Sequence, residues 1–466
     1  MNEQALHWLS LTEVAARLRD GKLSPVDLTG HMLARIELND DSLGSYTVVT
    51  DDRAFVAARQ AEAEIRRGEY RGPLHGVPVA GKALCDVAGE HTSAGTAIFA
   101  ERMARKNATV VRRLESAGAI LLGLLTMTEG ASAVHHPSIT PPVNPWDHSA
   151  WSGASSSGSG VATAAGLCFA ALGSDTAGSI RAPSHFCGVV GLKPTYGRVS
   201  RAGVFPLSAT LDHIGPMARR AADCAAVLGA IAGPDPRDPS ARQRSVPDYL
   251  AACAGSLHGL RIGWDETYVC EGVDPILSQA VRDAGQVLTD AGATLVPVAL
   301  PDRTDALHAG ATILHADVAL AHAETFDRHR EDYGPHLSEM ITIGRELGAL
   351  ELAGAHEARR TWQGELEALF EHIDALLCPP TVAPAPPAHL TTSLSGDFRT
   401  QARFFGFTLP YTVSGSPCLT VPCGFTEGGL PLAFQLVGPH FEEARLLKMG
   451  HVYQEATGWH EKHPSG

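Results

Sequence analysis

The chain has 466 residues, 44% of them apolar and 19% charged, an ordinary composition for a soluble globular protein and enough to bury a large core. Its net charge of −14 argues against a nucleic-acid backbone or an anionic membrane surface as partner. No apolar run reaches the roughly eighteen residues a membrane-spanning helix needs. The cysteines are nine, an odd number without a Cys-x-x-Cys pair, and most sit in apolar runs such as those around Cys168 and Cys378. They read as buried free thiols in a reducing cytoplasm. Met1 to Asp20 mixes charges without an apolar core, so no signal peptide is expected there.

In chain order, Ser10-Leu11-Thr12-Glu13 is a capping box that opens a helix ended by Gly21. Ser24-Pro25 opens a second helix with proline at its first position, and Ala54 to Arg66 is an amphipathic third. After Gly72-Pro73-Leu74-His75-Gly76, the run Val77-Pro78-Val79-Ala80 reads as a short buried strand that delivers Gly81-Lys82 to its end. Val110 to Gly118 is a helix and Ala119 to Leu125 an apolar strand. There follows a Ser/Gly-rich stretch, Gly153 to Ser184, in which two small-residue loops flank an apolar run, Val161 to Leu172, long enough for a helix.

Beyond it, a helix is expected from about Arg219 to Ala232, then a breaker cluster from Gly233 to Pro239. Leu260 to Trp264 reads as a strand, Asp274-Pro275 caps a helix to Gly292, and Thr294 to Leu300 is the next strand. This alternation predicts parallel pairing in a helix-covered sheet. Pro379 to Pro387 reads as a domain linker or an extended surface loop. Strands resume at Leu419 to Pro422 and Leu432 to Val437, and a last helix runs from about Glu442 to Ala456. No internal repeat is present, and one domain over residues 1–466 is expected.

The chemistry concentrates in the Ser/Gly stretch. Gly and Ala leave backbone N–H groups uncovered, so a serine that ends such a loop, as Ser179 does, has its hydroxyl beside several free donors. An acyl-transfer nucleophile with an oxyanion hole needs that arrangement. A flexible linker would not lead into a compact apolar run and an Ile-Arg-x-Pro turn. A phosphate-cradling loop would end in Gly-Lys-Ser/Thr, and an esterase elbow would read Gly-x-Ser-x-Gly; neither frame is present.

From Gly153-Ala154-Ser155-Ser156-Ser157-Gly158 to Asp175-x-Ala177-x-Ser179-Ile180-Arg181-x-Pro183, the stretch resembles the amidase signature family of serine hydrolases. Gly72 to Pro78 followed by Lys82 is similar to the family's lysine motif, and Asn144-Pro145-Trp146, Cys187 to Thr195 and Gly429 to Gly438 match further segments. The weakest part is roughly Asp302 to Phe370. The resemblance implies an α/β fold with a large twisted mixed sheet covered by helices on both faces, with the signature core at about 61–235. It implies Ser179 as nucleophile, Ser155 as a bridging serine on a cis Ala154–Ser155 peptide, and Lys82 as base. The backbone N–H groups of Thr176, Ala177, Gly178 and Ser179 would form the oxyanion hole. On this reading Asp175 and Arg181 brace the loop, and a small-molecule amide is cleaved by way of an acyl-enzyme on Ser179.

A lysine serves as base only when neutral, which requires burial or nearby positive charge; a structural Lys82–Asp86 ion pair is the competing reading. The family's Gly-Lys-Thr-Asn-Met-Thr-Glu-Phe stands here as Gly123-Leu124-Leu125-Thr126-Met127-Thr128-Glu129-Gly130, so substrate preference is expected to depart from the commonest members, and Met127 is a candidate acyl contact. Ser156 is a further candidate in the pocket. His308, His315, His322 and His329 recur every seven residues, which keeps them near one helix face; they form the wet margin of an amphipathic helix, or His315 or His322 lines the substrate funnel. Neither cofactor nor metal is expected. A glutaminase subunit of a tRNA-dependent amidotransferase, and a hydrolase of a carbamate or urea derivative, stand as alternatives, and a homodimer is a family-level expectation.

Overall fold

The computed structural model describes residues 6–390 and 404–464. Eleven strands join in one mixed sheet: β1 (Tyr46–Val49), β2 (Pro78–Lys82), β3 (Ile120–Leu125), β4 (Ala170–Asp175), β5 (Val190–Lys193), β6 (His213–Ala218), β7 (Arg261–Trp264), β8 (Thr294–Pro297), β9 (Ala375–Cys378), β10 (Cys418–Phe425) and β11 (Pro431–Val437). Their spatial order is β1-β3-β2-β4-β6-β5-β10-β11-β9-β7-β8. Strands β2 to β6, β9 and β11 are buried along their whole length, which requires cover on both faces. The helix Arg181–Cys187 packs on β5, β10 and β11, and Ala221–Ile231 packs on β4, β5 and β6.

Parallel pairing holds only for β3-β2-β4 and β9-β7-β8. The middle of the sheet is antiparallel, from β4 through β6, β5, β10 and β11 to β9. Between β4 and β5 the reversal comes from β6, which sequence patterning misses. Its Gly215-Pro216 centre lowers strand propensity, yet it inserts between β4 and β5 and reverses the pairing. Strand β8 stops at Pro297, short of the expected Leu300.

The apolar run Val161 to Leu172 is not one helix. The helix starts earlier, at Ser157, and ends at Ala164; Gly166, with φ of +67°, turns the chain into β4. The Pro-rich segment is no linker either. Trp151 N–H donates to the Pro386 carbonyl at 2.8 Å, and Ala150 bridges Pro387, so the segment is clamped along the chain that leads into the Ser loop. Ser10 and Glu13 form the expected capping box.

The segment of weakest resemblance folds into the helices Thr304–Ala321, Pro335–Glu346 and Ala349–Phe370; the first packs on both others, and the first and third pack on Leu409–Ser414. The first of these ends at Ala321, so the heptad of histidines does not continue along one face: His322 caps the helix, and His329 lies beyond it against Asp332. All nine cysteines are free thiols, eight of them buried. Among the described residues no helix is long and apolar enough to cross a membrane.

Candidate active site

Strands β3, β2 and β4 run parallel, and their carboxyl ends place Leu125, Lys82 and Asp175 at one edge of the sheet, where α/β folds commonly bind ligands. Lys82 is fully buried. Its Nζ lies 2.7 Å from Ser155 Oγ, 2.9 Å from Ser156 Oγ and 2.8 Å from Ser174 Oγ. The competing carboxylate is engaged elsewhere: Asp86 accepts two hydrogen bonds from Arg102, at 2.7 and 3.0 Å. Burial, the dominant influence, lowers the Lys82 ammonium to about 7 against the opposing pull of Asp175 and Asp212.

The three hydroxyls differ in what they can offer. Ser156 Oγ donates to the Ser174 carbonyl and accepts the Ser174 N–H, both at 3.2 Å, so it can only accept from Nζ. An ammonium fills all three acceptors, whereas a neutral amine has two N–H groups and one lone pair. That lone pair is left for the O–H of Ser155 or Ser174. Ser174 has no assigned role in the sequence reading. Its signal there is positional, since it precedes Asp175 at the end of the strand neighbouring the lysine strand.

The peptide Ala154–Ser155 is cis. The Ser156 N–H donates to the Ser179 carbonyl at 3.3 Å, which ties the Ser loop to the loop that follows β4. That second loop is held from beneath by Asp175, whose carboxylate accepts the N–H groups of Gly178 (2.8 Å) and Ile180 (3.1 Å) and pairs with Arg181 at 2.8 and 2.9 Å. Both side chains are fully buried. Burial alone would raise Asp175, but the Arg181 charge and hydrogen bonds hold it well below the usual carboxylate range. From the sides, Thr176 Oγ1 donates to Asp212 and Thr408 Oγ1 to the Ala177 carbonyl, each at 2.5 Å.

Of the four N–H groups expected to face an oxyanion, that of Gly178 is therefore taken by Asp175, because the carboxylate lies within the same turn. Ala177 keeps a negative φ, and the left-handed position falls on Gly178 at +128°. A Cβ there would stand 2.8 Å from Thr408 Oγ1. Gly178→Ala is expected to destabilise the fold by about 1–3 kcal/mol, the usual cost of a strained backbone position, read as a lower urea midpoint at unchanged m.

Ser179, Thr176 and Ala177 open onto a cavity of about 340 Å³, at the small end of the range for ligand sites. Its walls are Trp151, Phe404, Phe405, Leu307, Leu314 and Met340, with several alanines. His315 and His336 stand in this wall, and burial holds both below the usual imidazole value. Among the described residues no Lys or Arg lines the cavity; Glu339, at its exposed side, is the charged group. The other pocket candidates lie elsewhere. Met127 is buried in the core, and Ala131 to Ala133 reach the cavity in its place. Ser156 sits beneath the loop on Lys82, and His322 is buried with Nδ1 3.0 Å from the Tyr333 hydroxyl.

Likeness to known proteins runs along the whole chain. The family named Amidase matches residues 27–447. A Mycobacterium tuberculosis protein named "Putative amidase AmiD" is 42% identical over the whole of this chain and 97% of its own length. A glutamyl-tRNA(Gln) amidotransferase subunit from Chloroflexus aurantiacus is 39% identical, covering 98% of this chain and 99% of that one. The solved peptide amidase of Stenotrophomonas maltophilia superposes with a TM-score of 0.81 at 31% identity over 96% of each chain. The mixed eleven-stranded fold, the serine-ringed lysine and these likenesses lead to one assignment: this chain belongs to the amidase signature family, hydrolases of amide C–N bonds.

Proposed function

We propose that the chain is a stand-alone amidase that cleaves a neutral carboxamide with a compact apolar acyl group. The observation that carries the reading is the buried Lys82 amine, ringed by hydroxyls rather than carboxylates, together with a cavity that Ser179 lines. On this reading neutral Lys82 draws the proton of Ser155 while Ser155 takes that of Ser179, and the freed alkoxide attacks the carbonyl carbon. Lys82 donates to Ser156 and Ser174 throughout, which aims its lone pair at Ser155. The oxyanion is received by N–H groups of Thr176, Ala177 and Ser179. The proton then returns through Ser155 to the leaving nitrogen, releasing ammonia or an amine, and water repeats the relay to free the carboxylic acid.

The likeness to an amidotransferase component supports a second reading, glutamine hydrolysis. Glutamine carries an α-carboxylate that needs a cation, and the described cavity wall supplies none. A wall of Trp, Phe and Leu favours an aryl or short alkyl acyl group instead. The free buried thiols fit a cytoplasmic enzyme.

A fluorophosphonate probe, which captures activated serines, is expected to leave its mass on the peptide containing Ser179, and Ser179→Ala to abolish both the adduct and hydrolysis of benzamide or hexanamide. Labelling on another residue would overturn the nucleophile assignment. Turnover of free glutamine faster than of these amides would favour the second reading.

A further inference from the structure

The turn after β3 keeps the Thr-Glu pair of the family motif, as Thr128-Glu129, and the proposed chemistry leaves Glu129 without a task. Its carboxylate is 2% exposed. The partner it has found is a backbone donor rather than a cation: the Gly334 N–H, 2.9 Å from Oε1 and 3.1 Å from Oε2. Gly334 is the N-cap of the helix Pro335–Glu346, and being glycine it brings no capping side chain of its own. Pro335, at the first helical position, has no N–H to offer. A carboxylate from a distant part of the chain thus sits at the positive end of this twelve-residue helix. The fit is close: a Cβ on Gly334 would run into Glu129 Oε2.

The turn that carries Glu129 touches the reacting residues at its other end. Thr128 N–H donates to the Ser155 carbonyl at 3.3 Å, and Thr128 Oγ1 donates to the Ser132 carbonyl at 2.5 Å. Gly130 and Ala131 both lie in the left-handed region, at φ of +56° and +65°. For Ala131 that conformation is costly and persists only where its surroundings hold it. The crest of the turn, Ala131 to Ala133, lines the same cavity as Ser179, and so does the helix gripped by Glu129, through His336, the exposed Glu339 and Met340. One short turn therefore holds the bridging serine with its backbone and the helical wall with its carboxylate.

We propose that Glu129 is a positioning residue that fixes the depth of the acyl pocket by anchoring the helix Pro335–Glu346 to the turn that grips Ser155. It never touches the reacting atoms; it sets how far the helical wall stands from Ser179 and hence which acyl groups are accepted. The inference rests on the reading of the cavity as the acyl site, so its test has one arm independent of turnover.

The first arm is hydrogen–deuterium exchange of the peptide spanning 335–346 in full-length Glu129→Ala, Glu129→Gln and the unaltered chain. Exchange is expected to accelerate tenfold or more in Glu129→Ala and to stay within threefold in Glu129→Gln, whose amide oxygen still accepts the Gly334 N–H. The second arm is the kinetics of linear amides from acetamide to octanamide. Glu129→Ala is expected to raise KM about tenfold for the longer amides, to alter acetamide kcat/KM less than twofold, and to be rescued by Glu129→Gln. Unchanged exchange in Glu129→Ala would overturn the anchor even if no amide proves to be a substrate. A uniform fall in kcat across the series would overturn the pocket role, as would failure of Glu129→Gln to rescue. Should Glu129→Ala not fold, Gly334→Ala, which crowds the same contact, is expected to shift the long amides in the same direction, and equal KM values across the series would count against the proposal.

Discussion

Lys82→Ala is expected to lower kcat by about 10²–10⁴-fold, the range a positioned general base supplies. The size follows from the surroundings. Among the described residues the hydrogen-bonding side chain on Ser155 Oγ is Lys82, and Ser156 has its own hydrogen committed to the Ser174 carbonyl; the nearest imidazole, His135, is turned to Ser157 Oγ at 3.1 Å. Water cannot substitute readily in a pocket where Ser155, Ser156 and Ser174 are all buried. Lys82→Arg should fare no better, because a guanidinium stays charged. Residual activity within tenfold of the unaltered enzyme would sink the assignment.

The same lysine ties activity and stability to pH. Burial holds it at about 7, so below that value the amine is protonated and kcat/KM is expected to fall about tenfold per pH unit, levelling above it. For stability the sign runs the same way. Between about 7 and the ordinary 10.5 the unfolded chain binds a proton that the folded chain does not, so stability rises with pH. From pH 7 to 9 the chain should gain about 2–3 kcal/mol relative to Lys82→Met, at 1.36 kcal/mol per unit. Parallel urea midpoints across that range would show that the buried lysine stays charged.

The residues of the proposed relay are legible in sequence because each belongs to a short local pattern. Lys82 ends an apolar strand, and Ser155 and Ser179 sit in loops stripped of side chains for close backbone approach. What sequence patterning misses depends on distant neighbours. Val161 to Leu172 is largely apolar, so nothing in its periodicity separates the helix from β4; a single turn at Gly166 does. The Gly-Pro centre of β6 hides the antiparallel strand between β4 and β5. Leu307, Leu314 and Met340 face the cavity, yet they are the residue types that face any core, so helical patterning cannot tell the two apart. Ala131, not Met127, lines the cavity where the left-handed Gly130 and Ala131 turn the chain, and no side-chain pattern reports that.

Arg181→Met is expected to destabilise the fold by about 3–5 kcal/mol at neutral pH, the usual cost of removing one partner from a buried ion pair. The guanidinium also donates to the Thr408 carbonyl (2.9 Å), Thr412 Oγ1 (2.8 Å) and Gln435 Oε1 (3.2 Å), so those acceptors lose their donor too. The pH dependence separates charge from packing. With Arg181 present, the Asp175 pKa lies below its ordinary 3.8, so the pair's contribution is full above that value and is lost as pH falls through the depressed one. Without Arg181, burial, which raises the carboxyl, is opposed only by Lys193, His213 and the two backbone N–H groups, so the Asp175 pKa is expected to rise and the deficit to grow as pH climbs above its unfolded value. The gap between the two proteins should therefore widen from pH 4.5 to pH 7, and a constant gap would mean that lost packing is the whole effect. Arg181→Met with Asp175→Asn should recover much of the stability, since neither member of the pair is left as a lone buried charge. It should not recover activity. Asp175 holds the N–H groups of Gly178 and Ile180 on either side of Ser179, and a displacement of about 1 Å there costs on the order of a hundredfold in rate. The ion pair is thus where the fold and the loop that carries Ser179 depend on the same two charges, and the double variant tests whether they can be separated.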